Sequence, residues 1–207
     1  MSVDLPGDGS TQAPPATRGL RERKKERTRR TIRSEAFRLF REQGYNETTI
    51  EQIAAAAEVS PSTFFRYFPS KEQLVRADDL DPLMIAALRK QPRDTPPLTA
   101  FRNAVTTVFA NLSAEELAFE QERQALLFHV PELRTAIGLE FDRNIDLIAT
   151  LFAEHLGRDP HEFEIRVAAG AVAGGVLAIT RTVPMNAENI GRTLALLEAG
   201  LPLPRGS

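Results

Sequence analysis

Most apolar positions along the chain recur with the three- and four-residue spacing of amphipathic helices. No stretch sustains the alternation of apolar and polar residues that is typical of strands, and no Asn-Gly or Asp-Gly pair joins two strand-like segments. The pattern therefore predicts an all-α protein of about nine helices.

The N-terminal part predicts one long helix, two short helices and a second long helix. The first, at about 20–43, ends at Gly44 and has an apolar stripe of Ile32, Ala36, Leu39 and Phe40. Thr49 and Ser60 are suitable N-caps for the two short helices, which have about seven or eight residues each. The fourth helix is expected to begin after Ser70 and to run over 71–90.

Beyond a proline-rich joint at 91–97, the chain predicts five further helices. They are expected at about 96–111, 114–128, 131–156, 160–182 and 187–199, with capping residues or prolines at most starts. Residues 1–17 have almost nothing to bury, so a disordered tail is expected there. The closing PRGS is either native or a remnant of cloning.

The chain has no cysteine, which excludes disulfides and thiolate metal sites and favours a reducing cytoplasm. No secretory signal is recognisable at the N-terminus. The longest apolar run, 167–179, is too short to span a bilayer. A soluble cytoplasmic protein that does not bind a membrane is therefore expected.

Charge is distributed unevenly along the chain. Residues 18–76 contain 14 Lys and Arg against 8 Asp and Glu, whereas residues 77–207 contain 12 against 18. A basic N-terminal third on an acidic remainder points to a polyanionic partner for that third. Charge alone leaves open a second interpretation, in which the basic residues only solvate helix faces.

Two short helices joined by a tight turn and packed on a long helix form a helix-turn-helix arrangement. The second short helix then enters the major groove of DNA. It contains the segment STFFRYFPSK, in which helical spacing turns Phe64 and Phe68 inward and Phe65, Arg66 and Tyr67 outward. Those outward groups suit a thymine methyl, a guanine or phosphate, and a phosphate. The spacing also permits all four rings to be core or subunit contacts.

A specific set of positions lies within residues 28–75: Ile32, Ala36, Leu39-Phe40, Gly44, Thr48-Thr49, Ile53-Ala54, Val59-Ser60, Thr63 and the block from Phe64 to Lys71. With these residues the segment resembles the N-terminal DNA-binding domain of the tetracycline repressor (TetR) family. The resemblance implies a three-helix helix-turn-helix domain at 18–70, a connecting helix at 71–90, and a larger helical ligand-binding and dimerisation domain at 91–207. Beyond 75 the chain agrees with the family only in helix number and length.

The resemblance also implies which residues contact double-stranded operator DNA: Thr48, Thr49, Ser60, Pro61, Ser62, Thr63, Phe65, Arg66, Tyr67 and Lys71. Relatives often have Gly or Ala in place of Ser62 and Tyr in place of Phe65, and Phe65 lacks the hydroxyl with which a tyrosine binds phosphate. The basic run from Arg21 to Arg30 extends the first helix. It either follows the DNA backbone, reaches a minor groove, or is merely solvated.

A homodimer is expected because a two-fold protein reads a palindromic operator. The candidate interface lies in the last two helices, where three glycines allow close approach. Its residues are Gly170, Gly174, Gly175, Ile179, Leu194 and Leu197. Packing inside one chain is the alternative for these helices.

The resemblance also implies that the C-terminal domain binds an effector, which is expected to be an apolar small molecule. The candidate ligand residues are aromatic or polar and lie between 96 and 156: Phe101, Phe109, Phe119, Arg123, Phe128, His129, Phe141, Asn144 and Phe152. Core packing is the alternative for any one of these phenylalanines.

An enzyme is the competing class, and the sequence gives it little support. His155 and His161 do not have the spacing of a metal-binding pair, and Asp78, Asp79 and Asp81 are expected to decorate a solvated helix. No cofactor, metal or catalytic residue is therefore predicted. A ligand-binding or scaffolding protein without DNA binding remains an alternative, as does an activator.

Overall fold

The computed structural model describes the backbone of residues 15–202 and the side chains of residues 19–202, apart from Thr135. These residues form ten α-helices and one 3₁₀ turn: α1 Pro15–Gln43, α2 Ile50–Ala56, α3 Pro61–Tyr67, α4 Lys71–Arg76, α5 Asp81–Arg89, α6 Pro97–Ala110, α7 Ala114–His129, the turn Pro131–Leu133, α8 Arg134–Leu156, α9 Phe163–Thr180 and α10 Ala187–Glu198. No strand occurs between residues 15 and 202, so the predicted all-α class is confirmed.

The predictions for the chain ends fall mostly outside the described residues. This applies to the tail up to residue 14 and to the closing segment 203–207. Residues 15–17 were assigned to the tail from sequence, but they belong to the start of α1.

The chain divides into two compact units, and the division falls inside α4, between Leu74 and Val75. In the N-terminal unit, the inner face of α1 supplies Ile32, Ala36, Phe37 and Phe40 to a core shared with residues of α2 and α3. Aromatic rings contact one another in this core: the Phe37 and Phe40 rings are tilted, with their centroids 5.5 Å apart. Such ring pairs add to the burial of apolar area.

Two residues of α1 differ from the predicted apolar stripe. Phe37 is 1% exposed, whereas the predicted Leu39 is only half-buried. Arg33 is also buried, and its Nε donates to the Leu74 carbonyl oxygen at 3.0 Å. The arginine therefore binds a main-chain oxygen of α4 that the helix itself leaves without a partner.

The predicted fourth helix, 71–90, is wrong in its extent, because the structure has two helices there. α4 ends at Arg76, and α5 begins at Asp81 with Pro82 in its first turn. Between them Asp78 accepts the Leu80 N–H on Oδ1 at 2.8 Å. Since an aspartate that binds a nearby backbone N–H competes with the helical hydrogen bond, the chain turns at this point.

In the C-terminal unit, α5, α6, α8, α9 and α10 surround one apolar core. Its rings include Phe101 of α6 and Phe152 of α8, which meet edge to face at 5.8 Å. Predicted local signals appear as expected: Ser113 and Glu116 form a capping box, and Gly157 ends α8 with φ of 68°.

One helix of the C-terminal unit is apolar along most of its length. By length and composition alone, α9 could cross a membrane, with a mean hydropathy of 1.5. Core helices of soluble proteins have the same properties, and Ile165, Ala169, Val172 and Ala173 of α9 lie in the core of this unit. The helix therefore has a structural role without a bilayer.

Candidate functional site

The two short helices of the N-terminal unit begin at well-formed caps. Thr49 accepts the Gln52 N–H on Oγ1 at 3.2 Å, while the Gln52 side chain accepts the Thr49 N–H at 2.8 Å. Ser60 accepts the Thr63 N–H at 3.1 Å and also lies within hydrogen-bond distance of the Ser62 hydroxyl. The Thr49 cap fixes the start of α2, and the Ser60 cap fixes the start of α3, where Ser60, Pro61 and Ser62 are exposed.

Helix α3 places its aromatic residues as the helical spacing predicts. Phe64 and Phe68 are 0% and 2% exposed, whereas Phe65 is 50% exposed. The Phe65 ring meets the Phe64 ring edge to face at 5.6 Å. Anchored in this way, the outer face of α3 presents an apolar ring, which is costly in water and useful against another surface.

Arg66 is exposed beside that ring. Its guanidinium lies 5.4 Å from the ring centroid of the half-buried Tyr67, and it has no carboxylate partner among residues 19–202. An arginine without a carboxylate partner has N–H donors available for phosphate or guanine.

The structure corrects the prediction for Thr48. Its side chain is buried, its hydroxyl donates to the Gly44 carbonyl oxygen at 2.8 Å, and its N–H is directed to the Tyr45 carbonyl oxygen at 3.3 Å. Both donors expected to bind phosphate are therefore used within the loop that precedes α2.

Lys71 also has internal partners. Its Nζ donates to the carbonyl oxygens of Tyr45 and Thr48, at 2.7 and 2.9 Å, and the side chain is only half-exposed. Lys71 thus ties the first turn of α4 to the loop between α1 and α2. Its contact with a phosphate stays a prediction.

The basic run of α1 is mostly solvent-exposed, including Arg21, Arg23 and Lys24. Arg29 is the exception, because it is half-buried with its guanidinium 5.2 Å from the centre of the Phe68 ring. Whether the exposed members contact DNA stays a prediction.

A cavity of about 190 Å³ lies in the C-terminal unit. Six of the nine predicted ligand residues line it: Phe101, Phe109, Arg123, Phe128, Phe141 and Asn144. The other three do not: Phe152 is 1% exposed within the core, Phe119 is half-buried elsewhere, and His129 is exposed with Nδ1 close to the Ala125 carbonyl oxygen. Residues 96–156 thus contribute much of a cavity that is mainly apolar.

Arg123 is the most buried of the charged residues that line this cavity, at 2% exposure. Its Nε donates to Glu120 at 2.8 Å, and its Nη2 donates to both Glu120 and Asp78. Nη1 donates to the Val75 carbonyl oxygen at 3.2 Å. Burial alone would lower the pKa of Arg123, but Glu120 and Asp78 more than offset it and hold that pKa above its ordinary value.

Sequence reasoning missed the acidic side of this wall. Asp78 and Asp81 were expected on a solvated helix, but both line the cavity, and Asp81 pairs with Arg143 at 2.7 Å. Burial raises the pKa of Asp81, and the nearby Asp78 carboxylate raises it further. The only local signal was the three-residue spacing of Glu120 and Arg123 on one helix.

The predicted dimer residues separate into two groups. A side chain added at Gly170 or Gly174 would meet no atom of this chain within 4 Å. At Gly175 it would meet Thr193 and Leu197 of α10, at 3.2 and 3.4 Å. Leu194 is 0% exposed, so its assignment to an interface is wrong: it lies in the core because α10 packs across α6 and α9.

Ile179 and Leu197 are half-buried and also pack against the core of their own chain. The large apolar residues of α9 that remain exposed are Phe163 and Val167, at 78% and 54%, on the side of Gly170 and Gly174. These four residues are called the α9 face below.

Sequence comparisons identify relatives of both units. Residues 32–77 match the profile of bacterial regulatory proteins of the tetR family. Residues 95–202, more than half of the chain, match the profile of the MftR C-terminal domain.

Two curated relatives are HTH-type transcriptional regulators. TcmR of Streptomyces glaucescens is 44% identical over 110 residues, covering 52% of this chain and 49% of TcmR. RutR of Escherichia coli K12 is 36% identical over 98 residues, covering 46% of each. The chain thus matches about half the length of these curated relatives.

Solved structures show the same fold over most of the chain. The SmeT–triclosan complex has a TM-score of 0.58 at 20% identity, covering 87% of this chain and 99% of the other. A TetR-family regulator from Mesorhizobium loti MAFF303099 has a TM-score of 0.52 at 22% identity, covering 85% and 96%.

The capped helix pair of the N-terminal unit and the helical C-terminal unit thus match together, each in its own profile and both in the solved structures. The chain belongs to the tetR family of bacterial regulatory proteins.

Proposed function

We propose that the protein is a transcriptional repressor that binds a palindromic DNA operator as a homodimer and releases it when a small apolar molecule enters the cavity. The observation that carries this proposal is the outer face of α3. There, Phe65 and Arg66 are exposed while Phe64 and Phe68 fix the helix from beneath. A cytoplasmic location follows from the need to reach chromosomal DNA.

In the proposed complex, α3 enters the major groove. Phe65 contacts a thymine methyl and Arg66 contacts guanine or phosphate. The exposed Ser60, Pro61 and Ser62 approach the backbone or base edges, as do Thr49, Tyr67 and the half-buried Thr63. Lys71 supports the loop that carries Thr48 and adds positive charge near the phosphates. The operator supplies the polyanion that the basic N-terminal part requires.

The dimer is proposed to form through the α9 face. Phe163 is the most exposed large apolar residue on the described surface, and a face of this kind is stabilised by burial against a second copy. Gly170 and Gly174 leave room for a neighbouring helix to approach. A two-fold axis through this face gives each dimer two recognition helices for two half-sites.

The effector site is proposed to be the cavity of the C-terminal unit. Phe101, Phe109, Phe128 and Phe141 give it the apolar lining that small-molecule sites share. SmeT, a relative in fold, was solved with triclosan, and it is the repressor of a multidrug efflux pump in Stenotrophomonas maltophilia. That precedent supports an effector site in a fold of this kind.

Arg123 is the proposed link from the cavity to the DNA-binding helices. It lines the cavity and binds the Val75 carbonyl oxygen, next in the chain to the Leu74 carbonyl oxygen that Arg33 binds. An effector that changes the hydrogen bonds of Arg123 thereby alters how the end of α4 is held. Coupling must be reciprocal, so operator DNA weakens effector binding by the factor by which effector weakens DNA binding.

A mobility shift with the DNA that flanks the protein's own gene, at two salt concentrations, tests the DNA-binding step. Binding that falls steeply with salt and is weakened by Arg66→Ala is the expected result. No binding to this DNA or to any sequence in a random-sequence selection would favour a helical ligand-binding protein instead. An operator upstream of a promoter that becomes more active on binding would identify an activator.

A further inference from the structure

The polar groups that line the cavity are unequal in charge. Four carboxylates face it, from Asp78, Asp81, Glu120 and Glu140, against the single guanidinium of Arg123. Two more arginines bind these carboxylates from outside the lining: Arg76 pairs with Glu140 at 2.9 Å, and Arg143 pairs with Glu140 and Asp81 at 2.8 and 2.7 Å. Four carboxylates therefore share three guanidinium groups at the edge of an otherwise apolar cavity.

The cavity is poorly suited to an anion even though Arg123 lines it. Its Nε and Nη2 hydrogens are directed to Glu120 and Asp78, and Nη1 donates to the Val75 carbonyl oxygen. A ligand carboxylate could bind the guanidinium only by displacing one of these partners. It would also enter next to four like charges, whose repulsion opposes its binding.

Among these four carboxylates and three arginines, the excess carboxylate lies where the side chains are most buried. Glu120 and Asp78 share Arg123 alone, with side-chain exposures of 6% and 22%, whereas Glu140 and Asp81 have Arg76 and Arg143 between them. The excess of negative charge acts on Asp81: burial raises the pKa of Asp81, and the charge of Asp78 raises it further. A positive charge placed among Asp78, Asp81 and Glu120 would offset it.

A further group of the cavity has no internal partner. Asn144 lines the cavity, and its side chain makes no hydrogen bond with another residue that the structure describes. Its amide is available to hold a polar group on the ligand, while Phe101, Phe109, Phe128 and Phe141 supply apolar contact. The cavity thus offers space, an apolar lining and an acceptor-rich edge to one molecule.

We propose that the effector is an apolar cation: an aromatic or alkyl body within the phenylalanine lining, and an ammonium-type group against Asp78, Asp81 and Glu120. This deepens the proposed function and rests on it only in taking the cavity as the effector site. The cavity discriminates against an anion of the same shape, and it binds the neutral analogue less tightly than the cation.

The test uses full-length protein and three probes with a common aromatic body: 2-phenylethylammonium, 2-phenylethanol and 3-phenylpropionate. At neutral pH these are a cation, a neutral molecule and an anion. Calorimetric titration is expected to rank them in that order, with the cation binding about tenfold or more tightly than the alcohol. Equal affinities, a reversed order, or no binding of the cation at millimolar concentration would overturn the proposal.

Two variants locate the source of the discrimination. Asp78→Asn removes the surplus charge, keeps an oxygen for the Leu80 N–H and leaves Arg123 paired with Glu120, so the cation-to-alcohol ratio should fall toward one. Glu154→Gln is the matched control, because Glu154 is a surface carboxylate paired with Arg89 away from the cavity. An unchanged ratio in folded Asp78→Asn would also overturn the proposal.

DNA binding is measured separately, on the same protein, by mobility shift. A protein that binds the cation but no DNA would refute the repressor function and leave the cation preference intact. A protein that binds DNA and is released by neutral or anionic molecules, but not by cations, would refute the cation preference alone.

Discussion

The ammonium of Lys71 lies over the ring of Tyr45, 4.3 Å from its centroid, and donates to the carbonyl oxygen of the same residue at 2.7 Å. Thr48 contributes a second carbonyl oxygen to this ammonium at 2.9 Å. Lys71, the first residue of α4, therefore stabilises the loop that precedes α2, in addition to any role it has with DNA.

Replacing Lys71 by methionine keeps much of its length and removes the charge-assisted hydrogen bonds. We expect the free energy of unfolding to fall by about 1.5–3 kcal/mol, the usual range for a hydrogen bond to a charged group. Chemical denaturation measures the change, with the exposed Lys90→Met as the control. Unaltered stability together with a smaller salt dependence of DNA binding would instead assign Lys71 to phosphate contact alone.

Replacing Arg66 by alanine separates recognition from stability. Because Arg66 is exposed and has no carboxylate partner in the described part of the chain, its loss should leave the unfolding free energy within about 0.5 kcal/mol. Operator affinity should fall by about 1–3 kcal/mol, as expected for a lost base contact. Fluorescence anisotropy with labelled operator measures it, and wild-type affinity in the variant would refute the assignment.

Phe64 and Phe65 are adjacent residues with opposite roles, so they make a matched pair. Phe64→Ala should cost about 3–5 kcal/mol of stability, because the ring is fully buried. Phe65→Ala should cost much less, since half of its ring is already exposed, and should instead weaken operator binding. Similar losses of stability in both variants would mean that Phe65 belongs to the core.

Gly174→Arg tests the proposed dimer. The single chain has open space at Gly174, so the variant should fold but place a long charged side chain in the α9 face. Sedimentation is expected to show a dimer for the wild type and a monomer for Gly174→Arg. Gly138→Arg is the control, because Gly138 is also helical and open but lies on α8. A monomeric wild type at micromolar concentration would contradict the dimer.

The raised pKa of Asp81 predicts a pH dependence of stability. Burial and the Asp78 carboxylate raise this pKa in the folded protein, so the folded state holds the Asp81 proton more tightly than the unfolded state does. Stability from this group is present below the ordinary pKa of about 3.9 and is lost as pH rises through the raised value. The melting temperature of wild type relative to Asp81→Asn should therefore decrease as pH rises above about 4. A difference that stays constant with pH would contradict this.

Local signals allowed much of the fold to be predicted from the sequence. The caps at Thr49, Ser60 and Ser113 depend on residues three positions apart, and the inward turn of Phe64 and Phe68 depends on helical spacing. Both kinds of signal lie within one helix and can be recognised without knowledge of tertiary contacts.

Contacts between distant parts of the chain could not be predicted in this way. The internal role of Lys71 arises only when the loop before α2 meets α4. The break after Arg76 depends on Asp78, which turns toward Leu80 and Arg123 rather than toward solvent. Leu194 has the apolar character of an interface residue, and only the packing of α10 places it in the core.

The two arginines that bind α4 both use main-chain oxygens: Arg33 binds the carbonyl of Leu74, and Arg123 binds that of Val75. Every amino acid provides such an oxygen, so these bonds do not depend on the side chains at 74 and 75. A chimaera of two family members that is joined inside α4 therefore keeps both acceptor oxygens, but it must also keep apolar residues at 74 and 75, because Leu74 and Val75 are 0% exposed. The junction must also preserve the helical register of α4, Arg33 in the N-terminal unit and Arg123 in the C-terminal unit.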